Sequence, residues 1–186
     1  CYRMECVRTL NFGETVFRAG EAGPAWRVRR GAVRLDMVDA MGQRRFASLA
    51  IGGDILGCET LLLGAYTFTA SALTQCELIS WPEAAGTLAP AESMLASLAQ
   101  AHRRAADLLT LRGGQAVERV LGLIRLLAER SGRLILPTRQ DIAEITDLRI
   151  ETISRVIKDL ERSGVLRTFR IDGVHATRSY IVNQSG

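Results

Sequence analysis

Glu151, Ser154 and Arg155 lie three and four residues apart, so on a helix they share one face. Their chemistry suits the floor of a DNA groove. A guanidinium bridges guanine O6 and N7, a carboxylate accepts from cytosine N4, and a hydroxyl adapts to its neighbour. Ile150, at the start of the same face, offers an apolar contact suited to a thymine methyl. Thr138, Arg139, Thr152 and Lys158 are candidates for phosphate oxygens, which position a protein without reading sequence. No catalytic constellation competes with this reading. The two histidines, His102 and His175, stand alone, without HxxxH, HxxE or nucleophile-elbow context.

Residues 138–166 must position that face. Thr138 can cap a first helix, with Asp141 three residues on as an acidic variant of the capping box. Ile142 and Ile145 give that helix an apolar side, and a turn is predicted near Thr146-Asp147-Leu148. Ile153, Val156, Ile157 and Leu160 recur at helical spacing and bury a second helix. Gly164 closes it as a C′ glycine. A pair of amphipathic surface helices with ordinary charges would show a similar period. The string from Glu151 to Arg155, then an apolar helix, Ser163-Gly164 and Val165-Leu166, favours a helix-turn-helix. Leu166–Ile171 and Ala176–Val182 bracket Asp172-Gly173, a hairpin turn that makes a wing. His175 on that wing faces phosphate or solvent.

The chain before this motif divides in two. Residues 7–82 read as short strands separated by turns at Gly13, Gly20, Gly31, Gly42 and Gly52-Gly53, a pattern of a small antiparallel barrel or jelly roll. Trp26 and Trp81 are core or rim aromatics. Pro82–Ala91 is rich in breakers, and Glu92–Leu111 reads as one long helix. Leu95, Leu98, His102, Ala105 and Leu109 recur by threes and fours, a seam of nearly three heptads. That seam either packs on the barrel or pairs with its twin in a homodimer, with His102 as a polar residue specifying register. Arg112-Gly113-Gly114 reads as a hinge, and Val117–Arg130 as an amphipathic helix. The expected class is α+β: a β-roll over 1–90, a dimerisation helix over 91–112 and a winged helix-turn-helix over 113–186.

Composition sets the outer bounds. A chain of 186 residues with 47% hydrophobic content buries a true core. No apolar run approaches the ~20 residues a membrane-spanning helix needs. No secretory signal is visible, so the expected location is cytoplasmic, although a chain opening on Cys1 leaves room for a missing leading segment. The net charge is +4 with pI near 9.2. Residues 113–186 hold 12 Lys+Arg against 9 Asp+Glu, and residues 1–112 hold 12 against 11. Lys158 is the only lysine, a bias that reflects genome composition. Cys1, Cys6, Cys58 and Cys76 form no CxxC pair, and no disulfide framework is expected. Asn183-Gln184-Ser185 matches a glycosylation sequon and is read as a polar tail.

These motifs resemble the bacterial CRP/FNR regulators, typified by the cyclic-AMP receptor protein and the fumarate–nitrate reduction regulator. Gly13-Glu14-x-Val16-Phe17, Gly31-x-Val33-Arg34-Leu35 and Gly53-Asp54-Ile55-Leu56-Gly57 look like the family's effector-sensing β-roll. Ile150 to Arg155 is similar to the fumarate–nitrate branch; the cyclic-AMP branch carries Arg where Ile150 stands. The resemblance implies a homodimer on double-stranded DNA, an inverted repeat with TTGA-type half-sites, and RNA polymerase as a second partner. It also implies an effector cassette at Gly57, Cys58, Glu59, Tyr66 and Thr67. Tyr66-Thr67 stands where cyclic-nucleotide members carry Arg-Ser, and no Arg or Lys lies between Arg45 and Arg103. Control by cyclic AMP is therefore not expected. Cys76 falls where the fumarate–nitrate regulator carries one iron–sulfur ligand, but Cys1 and Cys6 do not reproduce its N-terminal ligand cluster. The expectation is no metal and no cofactor, with Cys58 and Cys76 as small core residues. The alternatives are a redox or gas sensor using an iron–sulfur cluster or haem, with His102 a possible haem ligand, and a protein-interaction scaffold without DNA binding.

Overall fold

A computed structural model describes residues 6–81, 90–169 and 179–183. The chain forms two compact units, Cys1–Ala106 and Asp107–Gly186. The first is built from strands β1 (Val7–Leu10), β2 (Thr15–Phe17), β3 (Ala25–Arg30), β4 (Ala32–Val38), β5 (Arg44–Ile51) and β6 (Ile55–Leu56). A one-turn helix α1 (Thr60–Leu63) follows, then β7 (Thr69–Ala72) and β8 (Cys76–Trp81). They make two four-stranded sheets, in the orders β1-β8-β3-β6 and β2-β7-β4-β5, with every pairing antiparallel. The β-roll expected from the glycine spacing is therefore present. The period-2 pattern of a strand puts Val33 and Leu35 of β4 against the core and Arg34 and Asp36 on the other face. Asp36 is buried there under Arg34 (2.7 Å) and Arg44 (3.4 Å).

The roll's core holds Phe17, Trp26, Val28, Val33, Leu56, Tyr66, Cys76 and Leu78. Trp26 and Trp81 are both buried, as core aromatics. Gly31, between β3 and β4, has φ +84°, and a Cβ there would collide with the Gln75 carbonyl, so this tight link needs glycine. Arg8 ties the sheets together. It donates to the carbonyls of Val16 (2.8 Å) and Thr15 (3.1 Å) and lies over the Trp26 ring.

Helix α2 (Pro90–Leu111) starts two residues earlier than its apolar period suggests. Its polar side faces the roll. Arg104 donates twice to the Asp54 carboxylate, at 2.9 Å each, and Gln100 donates to the Gly53 carbonyl. The division between units falls inside α2, before the glycines at 113–114. Leu111 is buried against Gly122, and Arg112 donates to the carbonyls of Ile145 (3.1 Å) and Glu144 (2.9 Å), so the helix end belongs with the second unit.

The second unit contains α3 (Ala116–Leu127), β9 (Arg133–Ile135), α4 (Arg139–Thr146), α5 (Ile150–Arg162), β10 (Leu166–Thr168) and β11 (Ser179–Val182). Helix α3 ends at Leu127, three residues short of the expected Arg130, because Ala128 turns to an extended conformation. β9 had no sequence signal: three residues are too short for an alternation to register. It pairs with β11, and β11 pairs with β10, giving the order β10-β11-β9. Val120, Leu123, Ile124, Ile142, Ile145, Ile153 and Ile157 form the buried centre. The Asp172-Gly173 turn and His175 lie outside the described residues, as does Cys1.

Candidate nucleic-acid interface

Helices α4 and α5 form the helix-turn-helix. Thr138 caps α4: the Asp141 amide donates to Thr138 Oγ1 at 3.1 Å, and that hydroxyl donates to Asp141 Oδ2 at 2.8 Å. The helix ends where Thr146 Oγ1 bonds back to the Ile142 carbonyl and Asp147 turns left-handed, φ 54° and ψ 47°. Asp147 is the only non-glycine residue with positive φ among the described residues. An aspartate tolerates that conformation better than a branched residue, so the turn predicted at 146–148 follows from its side chain.

Helix α5 buries Ile153, Val156, Ile157 and Leu160 and exposes Glu151, Arg155 and Lys158. Ser154 and Thr152 are half-buried, and Ile150 is 40% exposed, an uncommon place for a large aliphatic residue. Ile150, Glu151, Ser154, Arg155 and Lys158 share one open face of α5, whose far end holds Asp159 and Arg162. At 1.5 Å rise per residue, Ile150 to Arg155 covers about 7.5 Å, roughly two base-pair steps. Neither Arg155 nor Lys158 makes a hydrogen bond or ion pair among the described residues. Arg162 differs, since it pairs with Asp159 at 3.6 Å. Helix α5 begins on Arg149, whose side chain makes no capping bond, whereas Gly164, at φ +76°, closes it as expected.

Of the four candidate phosphate contacts, Thr138 is already engaged by its two bonds with Asp141, and Arg139 is constrained as well. The arginine is half-buried and, with Glu161, close enough to the Tyr180 phenol to influence its ionisation. Burial raises the Tyr180 pKa, and Glu161 adds to the rise. Tyr180, buried on β11, thus lies near one residue of each helix, a placement no local sequence signal revealed.

The seam on α2 lies outward. Leu95, Leu98 and Leu109 are 66%, 68% and 77% exposed, and His102 and Ala105 are exposed with them. The alternative, that this seam packs on the barrel, is overturned: Ser97, Gln100 and Arg104 fill that place.

The cassette at 57–67 differs from an open pocket. Tyr66 is 5% exposed and belongs to the core. Its ring stacks on Phe17 at 3.8 Å and 10°, and its hydroxyl donates to the Pro24 carbonyl at 2.6 Å. Burial raises the Tyr66 pKa. Thr67 points to solvent, and its amide donates to Glu59 Oε1 at 3.1 Å, so the Glu59 carboxylate closes the cassette on itself. Counting cations within residues 46–102 also missed one: Arg8, from β1, is close enough to influence Tyr66. Its guanidinium is held by two carbonyls.

Cys76 is buried in the core, where desolvation pushes its thiol up to about 11. Cys58 is half-buried, with Sγ 3.2 Å from Ser97 Oγ. Among the described residues no group of three or more His, Cys, Asp or Glu side chains is arranged to hold a metal ion. Nor, among them, is any helix long and apolar enough to cross a membrane.

Comparison with known proteins agrees with this anatomy. Residues 7–85 match the cyclic nucleotide-binding domain, and residues 118–176 match the Crp-like helix-turn-helix domain. The chain is 30% identical over 184 residues to the nitrogen fixation regulation protein FixK of Rhizobium meliloti, covering 93% of this chain and 86% of that protein. It is 30% identical to the transcriptional regulator SdrP of Thermus thermophilus, covering 86% and 85%. The solved structure of FixK2 from Bradyrhizobium japonicum superposes with a TM-score of 0.66 at 26% identity, covering 96% of this chain and 92% of that one. With a β-roll, a long helix and a capped helix-turn-helix in that order, the chain belongs to the CRP/FNR family of DNA-binding transcription regulators.

Proposed function

We propose that this regulator acts as a cytoplasmic homodimer on an inverted repeat with TTGA-type half-sites, and that cyclic AMP does not control it. The observation that carries the reading is the exposed stripe on α5. Ile150 sits at its leading edge, Glu151 and Ser154 behind it, and Arg155 one turn on, unpaired among the described residues. Arg155 reads guanine, Glu151 accepts from cytosine or adenine, and Ser154 meets a thymine neighbour or the backbone. Ile150 meets a thymine methyl where an arginine would demand guanine. Thr138, Arg139, Thr152 and Lys158 hold the phosphates.

The exposed leucines of α2 support pairing with a second copy, which presents two recognition helices one DNA turn apart. RNA polymerase is the second partner in this reading, as in the family. Selection of bound sequences from random duplex DNA tests the whole. The expected product is a two-fold symmetric site with TTGA-type halves. Recovery of asymmetric sites, or of TGTGA-type halves, overturns it, and salt-independent or absent duplex binding returns the scaffold alternative.

A further inference from the structure

We propose that Tyr66 is a resident ligand: its phenol occupies the effector site of the β-roll and holds the cassette in one state without any small molecule. The slot around it is built to the ring. One face stacks on Phe17. Gly57 stands against the ring edge, where a Cβ would come within 2.7 Å of Cε1, and a Cβ on Gly23 would collide with the hydroxyl. The Pro24 carbonyl accepts the phenol hydrogen at the blind end.

Backbone bonds close the same assembly. The Tyr66 amide donates to the Glu21 carbonyl at 2.9 Å, and the Gly20 amide donates to the Tyr66 carbonyl at 2.8 Å. One residue therefore joins the 20–24 turn, the turn at Gly57 and the cassette's far arm. Stacking, a terminal hydrogen bond and loop closure are what a planar bound ligand would contribute. A tethered ring contributes them with no loss of translational freedom on binding, so the site is always filled.

The filled slot has a route to α2. Gly57 touches the ring, and the next residue, Cys58, meets Ser97 of α2 at 3.2 Å. Ser97 is 4% exposed, so that contact is fixed. The ring thereby bears on one of the contacts that hold α2 on the roll, beside those of Gln100 with Gly53 and Arg104 with Asp54.

The inference rests on reading residues 57–67 as the effector cassette of a DNA-binding dimer, and the test separates the two failures. The probe is p-cresol, the tyrosine side chain cut at Cβ. Calorimetry and thermal melting follow its binding to wild type, Tyr66→Ala and Tyr66→Phe, and anisotropy follows affinity for a TTGA-type duplex at a temperature where each protein is folded. Wild type is expected to bind neither p-cresol nor cyclic AMP. Tyr66→Ala is expected to bind p-cresol, to lose DNA affinity by about tenfold, and to recover it with p-cresol present. Tyr66→Phe keeps the ring but loses the bond to Pro24; it is expected to bind no p-cresol and to lose less DNA affinity than Tyr66→Ala. Binding of either small molecule by wild type overturns the plug, even where Tyr66→Ala does not fold. A folded Tyr66→Ala that binds duplex like wild type reduces Tyr66 to packing and overturns it too. If wild type binds no duplex at all, the proposed function fails, while p-cresol binding to Tyr66→Ala still decides whether the ring fills a ligand site.

Discussion

Arg155→Ala is the most discriminating perturbation of the proposed interface. The side chain is exposed and makes no hydrogen bond or ion pair among the described residues, so its removal should leave folding stability within about 0.5 kcal/mol. Any larger loss then belongs to DNA. A bidentate guanine contact contributes about 1–3 kcal/mol, which is about 5- to 150-fold for each half-site, and the homodimer loses it at both. The loss should concentrate at one base pair in each half-site, because the mutant no longer distinguishes guanine there. Lys158→Ala is the control from the same face of α5. It lies three residues on, about 4.5 Å further along the axis, where a straight helix leaves a curved groove. Its removal should weaken all duplexes alike and lower the salt slope by about 0.9 for each phosphate that is no longer neutralised. Anisotropy titrations on matched and single-mismatch duplexes at two salt concentrations separate these outcomes. If Arg155→Ala weakens matched and mismatched duplexes by the same factor, Arg155 holds the backbone and the assignment of the reading residue is wrong.

Leu98→Asp places a carboxylate in the exposed α2 seam and should yield monomers in sedimentation with the fold intact, since Leu98 is 68% exposed; a dimer would move the interface elsewhere. Arg149→Thr should raise the melting temperature, because α5 starts on a residue that makes no capping bond and a threonine cap contributes about 1 kcal/mol; an unchanged or lower melting temperature refutes that. Alkaline unfolding should show Cys76. Its thiol is raised from 9.0 to about 11 when folded, so between those values the unfolded chain binds fewer protons and stability falls as pH rises, by about 2–3 kcal/mol in total. Cys76→Ala should flatten that fall, measured by urea titration at several pH values.

The helix-turn-helix was legible because its constraints are local. Thr138 and Asp141 bond across three residues, Asp147 supplies its own left-handed turn, and the 3.6-residue period of Ile153, Val156, Ile157 and Leu160 assigns every other side chain of α5 to a face. Glycine spacing likewise announced a roll of short antiparallel strands. Pairings distant in sequence were not legible. The three-residue β9 is defined by its pairing with β11, and the meeting of Leu111 with Gly122 has no local signal either. Tyr180 gives no local hint that it lies near Arg139 and Glu161. Tyr66 shows the difference most plainly. Its type and position marked a cassette without arginine, which is a property of the string. Whether the ring lines a cavity or fills it depends on Phe17, Gly23 and Pro24, which lie more than 40 residues earlier in the chain. Close packing is decided by atoms that meet only after folding, so the filled site belongs to the tertiary structure.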